Sequence, residues 1–182
     1  MLSRLNIAFE TRSPDVDETP LAGETPLALA RRLALEKAKA VAKNAPWAVV
    51  IGADQVLDCH GQILGKPGSL ELAREQLKML SGQTVVFHSA FAVITPKGSH
   101  VRVCPCEATF RHLSGAQIDR YLTIEQPLDT AGSAKAEGLG IALLTALKSD
   151  DPTAIIGLPL IELTRSLVLA GLDPLDPSND HA

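Results

Sequence analysis

Aromatic side chains are scarce in this 182-residue chain, at 3% of residues with one Trp and one Tyr. A surface that grips single-stranded nucleic acid by stacking bases on rings needs several, so that class is disfavoured. Charge of one sign is lacking as well. Seventeen Lys and Arg stand against 21 Asp and Glu, a net −4, which leaves no electrostatic footprint for nucleic acid or for an anionic membrane surface. There are three cysteines, Cys59, Cys104 and Cys106. A small, odd number argues against a disulfide framework and fits a reducing cytoplasm, and Cys104-Pro-Cys106 is too tight for a C-x-x-C metal or redox motif. Long apolar runs are missing too: MLSRLNIAFE lacks the apolar centre of a signal peptide, and no stretch reaches membrane-spanning length.

What is present is the composition of a folded chain, with 46% of residues apolar. The length fits one domain, expected over residues 1–172, and the polar, proline-bearing residues 173–182 are expected to fray. Residues 25–43, TPLALARRLALEKAKAVAK, predict a helix with Thr25 as N-cap and Pro26 at the first helical position. Its apolar face is expected to run through Leu27, Ala30, Ala34, Ala38 and Val41, with Lys37 on or beside it. WAVVIGAD is a short valine-rich run that predicts a buried strand ending on Asp54. SLELAREQLKMLSG predicts a helix capped by Ser69 and ended by Gly82. TVVFHSAFAVIT and SHVRVCPCEATFRHL predict a hairpin about Pro96-Lys97-Gly98, and Ser114 with Gln117 forms a capping box for GAQIDRYL. After the loop AGSAKAEGLG come the apolar IALLTAL and AIIGLPL, then a helix to Gly171. Helices and strands alternate without linker or repeat, so the fold class is α/β.

Ligand sites in open α/β sheets form at the carboxyl ends of strands, where Asp54 is expected, after Gly52 and Ala53, small enough to admit a close approach. Lys66 lies in a tight Gly-Lys-Pro segment, Asp17 and Glu18 precede the first helix, and Lys135 and Glu137 share a glycine-flanked loop. Acids and lysines gathered at element ends suit a metal-bound polyphosphate, the carboxylates as hard ligands for Mg²⁺ and the ammonium groups for phosphate.

Taken in order, PDVDET (14–19), RLALEKA (32–38), VIGADQV (50–56), GQILGKP (61–67), LSGQTV (80–85), FRHLSGAQIDRYL (110–122), AGSAKAEGLGI (131–141) and IIGLPL (155–160) resemble the Maf nucleotide pyrophosphatases, which share an architecture with the inosine triphosphate pyrophosphatase group. ADQV and AGSAKAEG resemble the branch that acts on 7-methyl-GTP. The resemblance implies a mixed sheet flanked by helices and a water attack on the α-phosphorus of a nucleoside triphosphate. It implies Asp54 as proton acceptor, Glu18 and Asp54 at a divalent metal (Mg or Mn), Lys37 and Lys66 as phosphate-neutralising cations, and Gln55 and Glu137 as specificity positions. A homodimer in the cytoplasm, binding neither nucleic acid nor membrane, is implied as well. The family opens with a strand and an L-A-S-x-S-x-x-R loop, whereas MLSRLNIAFE matches the end of the following helix. The sheet is therefore expected to lack that first strand and show an open edge, with weakened phosphate affinity. That leaves a second reading, a catalytically weak nucleotide-binding or septum-related interaction protein.

Overall fold

The computed structural model describes residues 1–177; the last residues of the expected frayed tail, 178–182, lie outside the described residues. A 3₁₀ turn at Leu2–Leu5 and an extended stretch lead to helix α1, Pro26–Ala42. The Thr25 side chain accepts from the Ala28 amide, satisfying one orphan donor of the first turn, and Pro26 occupies the first turn. The face that α1 buries runs through Leu29, Ala30, Leu33, Ala34 and Ala38, while Leu27, expected inside, is exposed. Burial follows the pairs 29/30 and 33/34, a stripe rotated from the one drawn through Leu27.

Strands β1 (Val50–Cys59) and β2 (Gln62–Leu64) form a hairpin, followed by α2 (Leu70–Leu80) with Ser69 as its cap. β3 (Thr84–Thr95) and β4 (Gly98–Phe110) form a long hairpin about Pro96 and Lys97, and α3 (Gly115–Glu125) opens on the expected capping box. β5 (Leu144–Lys148) and α4 (Leu160–Leu169) complete the order. The sheet runs β2-β1-β3-β4-β5. All four pairings are antiparallel, so among the described residues the sheet is not the mixed one implied by the resemblance. Two tight hairpins and two longer returns each bring a strand back against its neighbour's direction.

Alternation sorts the side chains between two layers. Gly52, Asp54 and Val56 of β1 face α1, with Ala90 beside them on β3. The opposite face packs Leu57, Phe87, Ala108 and Phe110 against Leu77 and Leu80 of α2 and Ile118 and Tyr121 of α3, and Phe91 and Val93 against Leu163 and Leu167 of α4. β2 covers β1 only from Leu57 to Cys59. The outer edge of residues 50–56 therefore has no strand partner among the described residues, an open edge beside which the site lies.

Candidate active site

Asp54 does not end its strand. β1 continues to Cys59, because the pairing with β3 is unbroken from Val50 to Asp58. The carboxylate instead sits mid-strand on the α1 face, its side chain 11% exposed. The close approach permitted by Gly52 is made by α1: a Cβ there would overlap the Ala34 carbonyl and the Ala38 amide. That contact brings the helix down until Lys37 reaches the strand. The Lys37 ammonium is 2.6 Å from Asp54 Oδ1 and 2.6 Å from Glu18 Oε1, and Lys66 Nζ stands 3.8 Å from Glu18 Oε2.

Burial pushes the Asp54 carboxyl above the usual carboxylate range, although the Lys37 hydrogen bond pulls the other way. Burial would lower Lys37, but hydrogen bonds to two carboxylates outweigh it and the ammonium is held more firmly charged. An isolated ion pair would lower its carboxylate. Here one cation is divided between two acids, and the enclosed Asp54 receives too little to offset its desolvation. Glu18, the more open acid, goes down through its hydrogen bond to Lys37.

Gln55 points to the other face. Its Nε2 donates to Ser89 Oγ at 2.8 Å and lies 3.0 and 3.1 Å from the carbonyls of Ala154 and Ile155. Ser89 spends its own hydrogen on the Ala154 carbonyl at 2.5 Å, so towards Gln55 it can only accept. Three acceptors around one NH₂ group settle the amide orientation. What remains to Gln55 is its carbonyl oxygen.

Adjacent residues of a strand normally serve opposite faces, yet Asp54 and Gln55 line one cavity of about 660 Å³ because it wraps around the open edge of β1. Glu18, Lys66 and the exposed Glu137 line it as well, and Ile155–Leu158 close it on the α4 side. Lys37 stands behind the two acids rather than on the wall. Asp17 and Lys135 do not line it; Asp17 accepts the Thr19 amide at 2.9 Å, a turn-capping role.

The Maf-like protein family matches residues 1–169. The chain belongs to the Maf family. It is 58% identical over 179 residues to a 7-methyl-GTP pyrophosphatase of Bordetella pertussis, a match covering 96% of this chain and 88% of that protein. Proteins of the same name from Polaromonas sp. (52% identity; 100% and 84% covered) and Cupriavidus pinatubonensis (51%; 94% and 87%) are similar to it too.

In this Maf chain the groups that hold the Gln55 amide carry no mark in the sequence. Ser89 reads as one more small residue inside a strand, and the carbonyls of Ala154 and Ile155 carry no signal in residue type. Asp129 and Thr130, also on the cavity wall, stand in a loop with no periodicity to mark them. The three cysteines are free, without the disulfide framework the sequence argues against; all three are buried, and burial pushes the Cys104 thiol up to about 11. Among the described residues no helix is long and apolar enough to cross a membrane.

Proposed function

We propose that this protein hydrolyses 7-methyl-GTP to 7-methyl-GMP and pyrophosphate. The observation that carries the reading is the pinned amide of Gln55, which offers its carbonyl oxygen in the same cavity as Asp54 and Glu137. Guanine presents N1–H and an exocyclic amine, both donors, which a carbonyl and a carboxylate accept. Methylation at N7 makes the base cationic, so Glu137 adds a charge attraction that unmethylated guanine does not feel. The curated relatives named above, similar over most of their length, support the same substrate.

In the reaction a water oxygen bonds to the α-phosphorus, the bond from that phosphorus to the bridging oxygen breaks, and pyrophosphate leaves. Asp54 accepts the water's proton, and the burial that raises its pKa makes it a stronger base than an exposed carboxylate. Lys37 orients Asp54 and Glu18, and Lys66, 61% exposed, is free to reach phosphate oxygens. Glu18 and Asp54 would hold a divalent cation such as Mg²⁺ or Mn²⁺. Two hard carboxylates fit an ion that takes its other ligands from water and substrate phosphates, and no cluster of three or more His, Cys, Asp or Glu forms a self-sufficient cage among the described residues. When bound, such an ion neutralises phosphate charge and acidifies coordinated water. Cytoplasmic action as a homodimer, independent of nucleic acid and membrane, completes the proposal; the buried, unpaired cysteines are compatible with a reducing compartment.

Glu137→Gln tests the reading. It keeps size and an acceptor oxygen but removes the charge, so kcat/KM should fall more for 7-methyl-GTP than for GTP, by a difference on the order of 1 kcal/mol at an exposed site. Equal losses for both nucleotides would reject Glu137 as a reader of the methylated base. Release of single phosphate would reject attack at the α-phosphorus.

A further inference from the structure

Gln76 lies on α2, one turn after the buried Ala73 and beside the buried Leu77, half-buried and outside the cavity wall. Its single amide joins two loops. Nε2 donates to the Gly65 carbonyl at 3.0 Å, and Oε1 accepts from Ser133 Oγ at 2.6 Å. Gly65 immediately precedes Lys66, and Ser133 opens the loop that carries Glu137. The Gly65 carbonyl also receives the Gly132 amide at 3.4 Å.

Ser133 is in the left-handed region at φ 58°, directly after Gly132 at φ 65°. A non-glycine residue keeps that conformation only where its surroundings over-determine it. Ser133 is held twice: Gln76 takes its hydroxyl, and the Tyr121 hydroxyl donates to its carbonyl at 3.0 Å while accepting the Lys135 amide at 3.0 Å. Tyr121 belongs to α3 and grips the Ser133–Lys135 loop. Gln76 reaches across to the Lys66 turn, in parallel with the backbone bond from Gly132 to Gly65.

We propose that Gln76 is a positioning residue, a clasp that fixes the Lys66 turn against the Ser133 turn and so sets the phosphate-binding lysine relative to Glu137. This rests on the reading of the cavity as a nucleotide site. A merely structural Gln76 would be one more surface hydrogen bond on a helix, and its loss would lower stability without touching selectivity. A clasp couples two ligand-contacting groups, so its loss should alter how they act together.

The test uses the full chain and the variants Gln76→Leu and Gln76→Glu. Leucine keeps the volume and removes both bonds; glutamate keeps the acceptor for Ser133 and loses the donor to Gly65. Amide hydrogen exchange, and kcat and KM for 7-methyl-GTP and GTP with Mg²⁺, are measured for each, alone and combined with Lys66→Ala. In Gln76→Leu the Gly132 and Lys135 amides should exchange roughly ten-fold faster while those of α1 stay protected. The preference for 7-methyl-GTP should shrink several-fold, and Lys66→Ala should cost less than in the parent; Gln76→Glu should fall between. A lower Tm with unchanged exchange at these amides, unchanged preference and additive losses would overturn the clasp. If the parent hydrolyses neither nucleotide, the substrate reading fails, while the exchange measurement still decides whether Gln76 holds the two turns.

Discussion

Asp54 and its neighbour Gln55 carry the sharpest single-residue expectations. Asp54→Asn keeps the shape and removes the proposed proton acceptor, so turnover should fall by about 10²–10⁴-fold with the circular dichroism spectrum unchanged; activity within a few-fold of the parent would point to another carboxylate. In the metal-free protein burial holds the Asp54 carboxyl above the range of an ordinary carboxylate, so its titration followed by NMR should have a midpoint above that of an exposed aspartate. Lys37→Met removes the cation opposing that rise, so in the metal-free protein the midpoint should move to still higher pH; a midpoint unmoved by Lys37→Met would show that another group titrates. Gln55→Glu turns a donor facing the Ala154 and Ile155 carbonyls into a third acceptor, an unpaired arrangement expected to cost about 2–3 kcal/mol in denaturant unfolding, even without substrate.

Among the elements, α4 and the segment before α1 depend on polar anchors remote from the chemistry. Asp151 is buried, and its carboxylate accepts the Thr153 amide and hydroxyl and the Ile161 and Glu162 amides, which caps α4 and fixes the turn carrying Ala154 and Ile155. Asp151→Ala strands those donors in the interior and should lower stability by roughly 3 kcal/mol while also weakening nucleotide discrimination, since the carbonyls that hold Gln55 lie in that turn. Ahead of α1, Arg32 binds the Glu24 carboxylate at 2.8 Å and the Thr19 carbonyl at 3.0 Å, tying down the segment that carries Glu18. The Arg32 hydrogen bond holds Glu24 down at about 2, against an ordinary 4.5. A depressed pKa contributes stability that is present above about 4.5 and lost as pH falls towards 2. Arg32→Met should therefore flatten the acid unfolding curve in that window, and an unchanged curve would exclude the pair as its source.

For the molecule as a whole, the decisive contact is the seating of α1 on the sheet through Gly52. Any side chain there must push the helix away, and Lys37 leaves Asp54 with it. Gly52→Ala should cost about 1–3 kcal/mol in stability, and activity measured well below the new Tm should stay low, because the damage lies in the geometry and not only in the folded fraction. Parent-like turnover in stably folded Gly52→Ala would show that the seating of α1 does not set the site.

The elements themselves were legible in the chain. Thr25-Pro26, Ser69 and the Ser114–Gln117 box mark helix starts by local hydrogen bonding, and alternation with Pro96-Lys97-Gly98 marks the hairpin, all within a few residues of the group responsible. The acids and lysines of the site were also readable, since charge in an apolar chain stands out. The end of β1 was not: the apolar run stops at Asp54, but pairing with β3 carries the strand on to Cys59, and only a partner strand decides that. The purpose of Gly52 was hidden for a similar reason, as the group approaching it is a helix backbone from distant sequence. Which face each charged residue takes, which acids share one ammonium, and which carbonyls pin Gln55 depend on separations of 17 to 100 residues along the chain. Residue type and local period determined what could fold; contacts closed across the sheet decided that two neighbouring residues on opposite faces meet in one cavity.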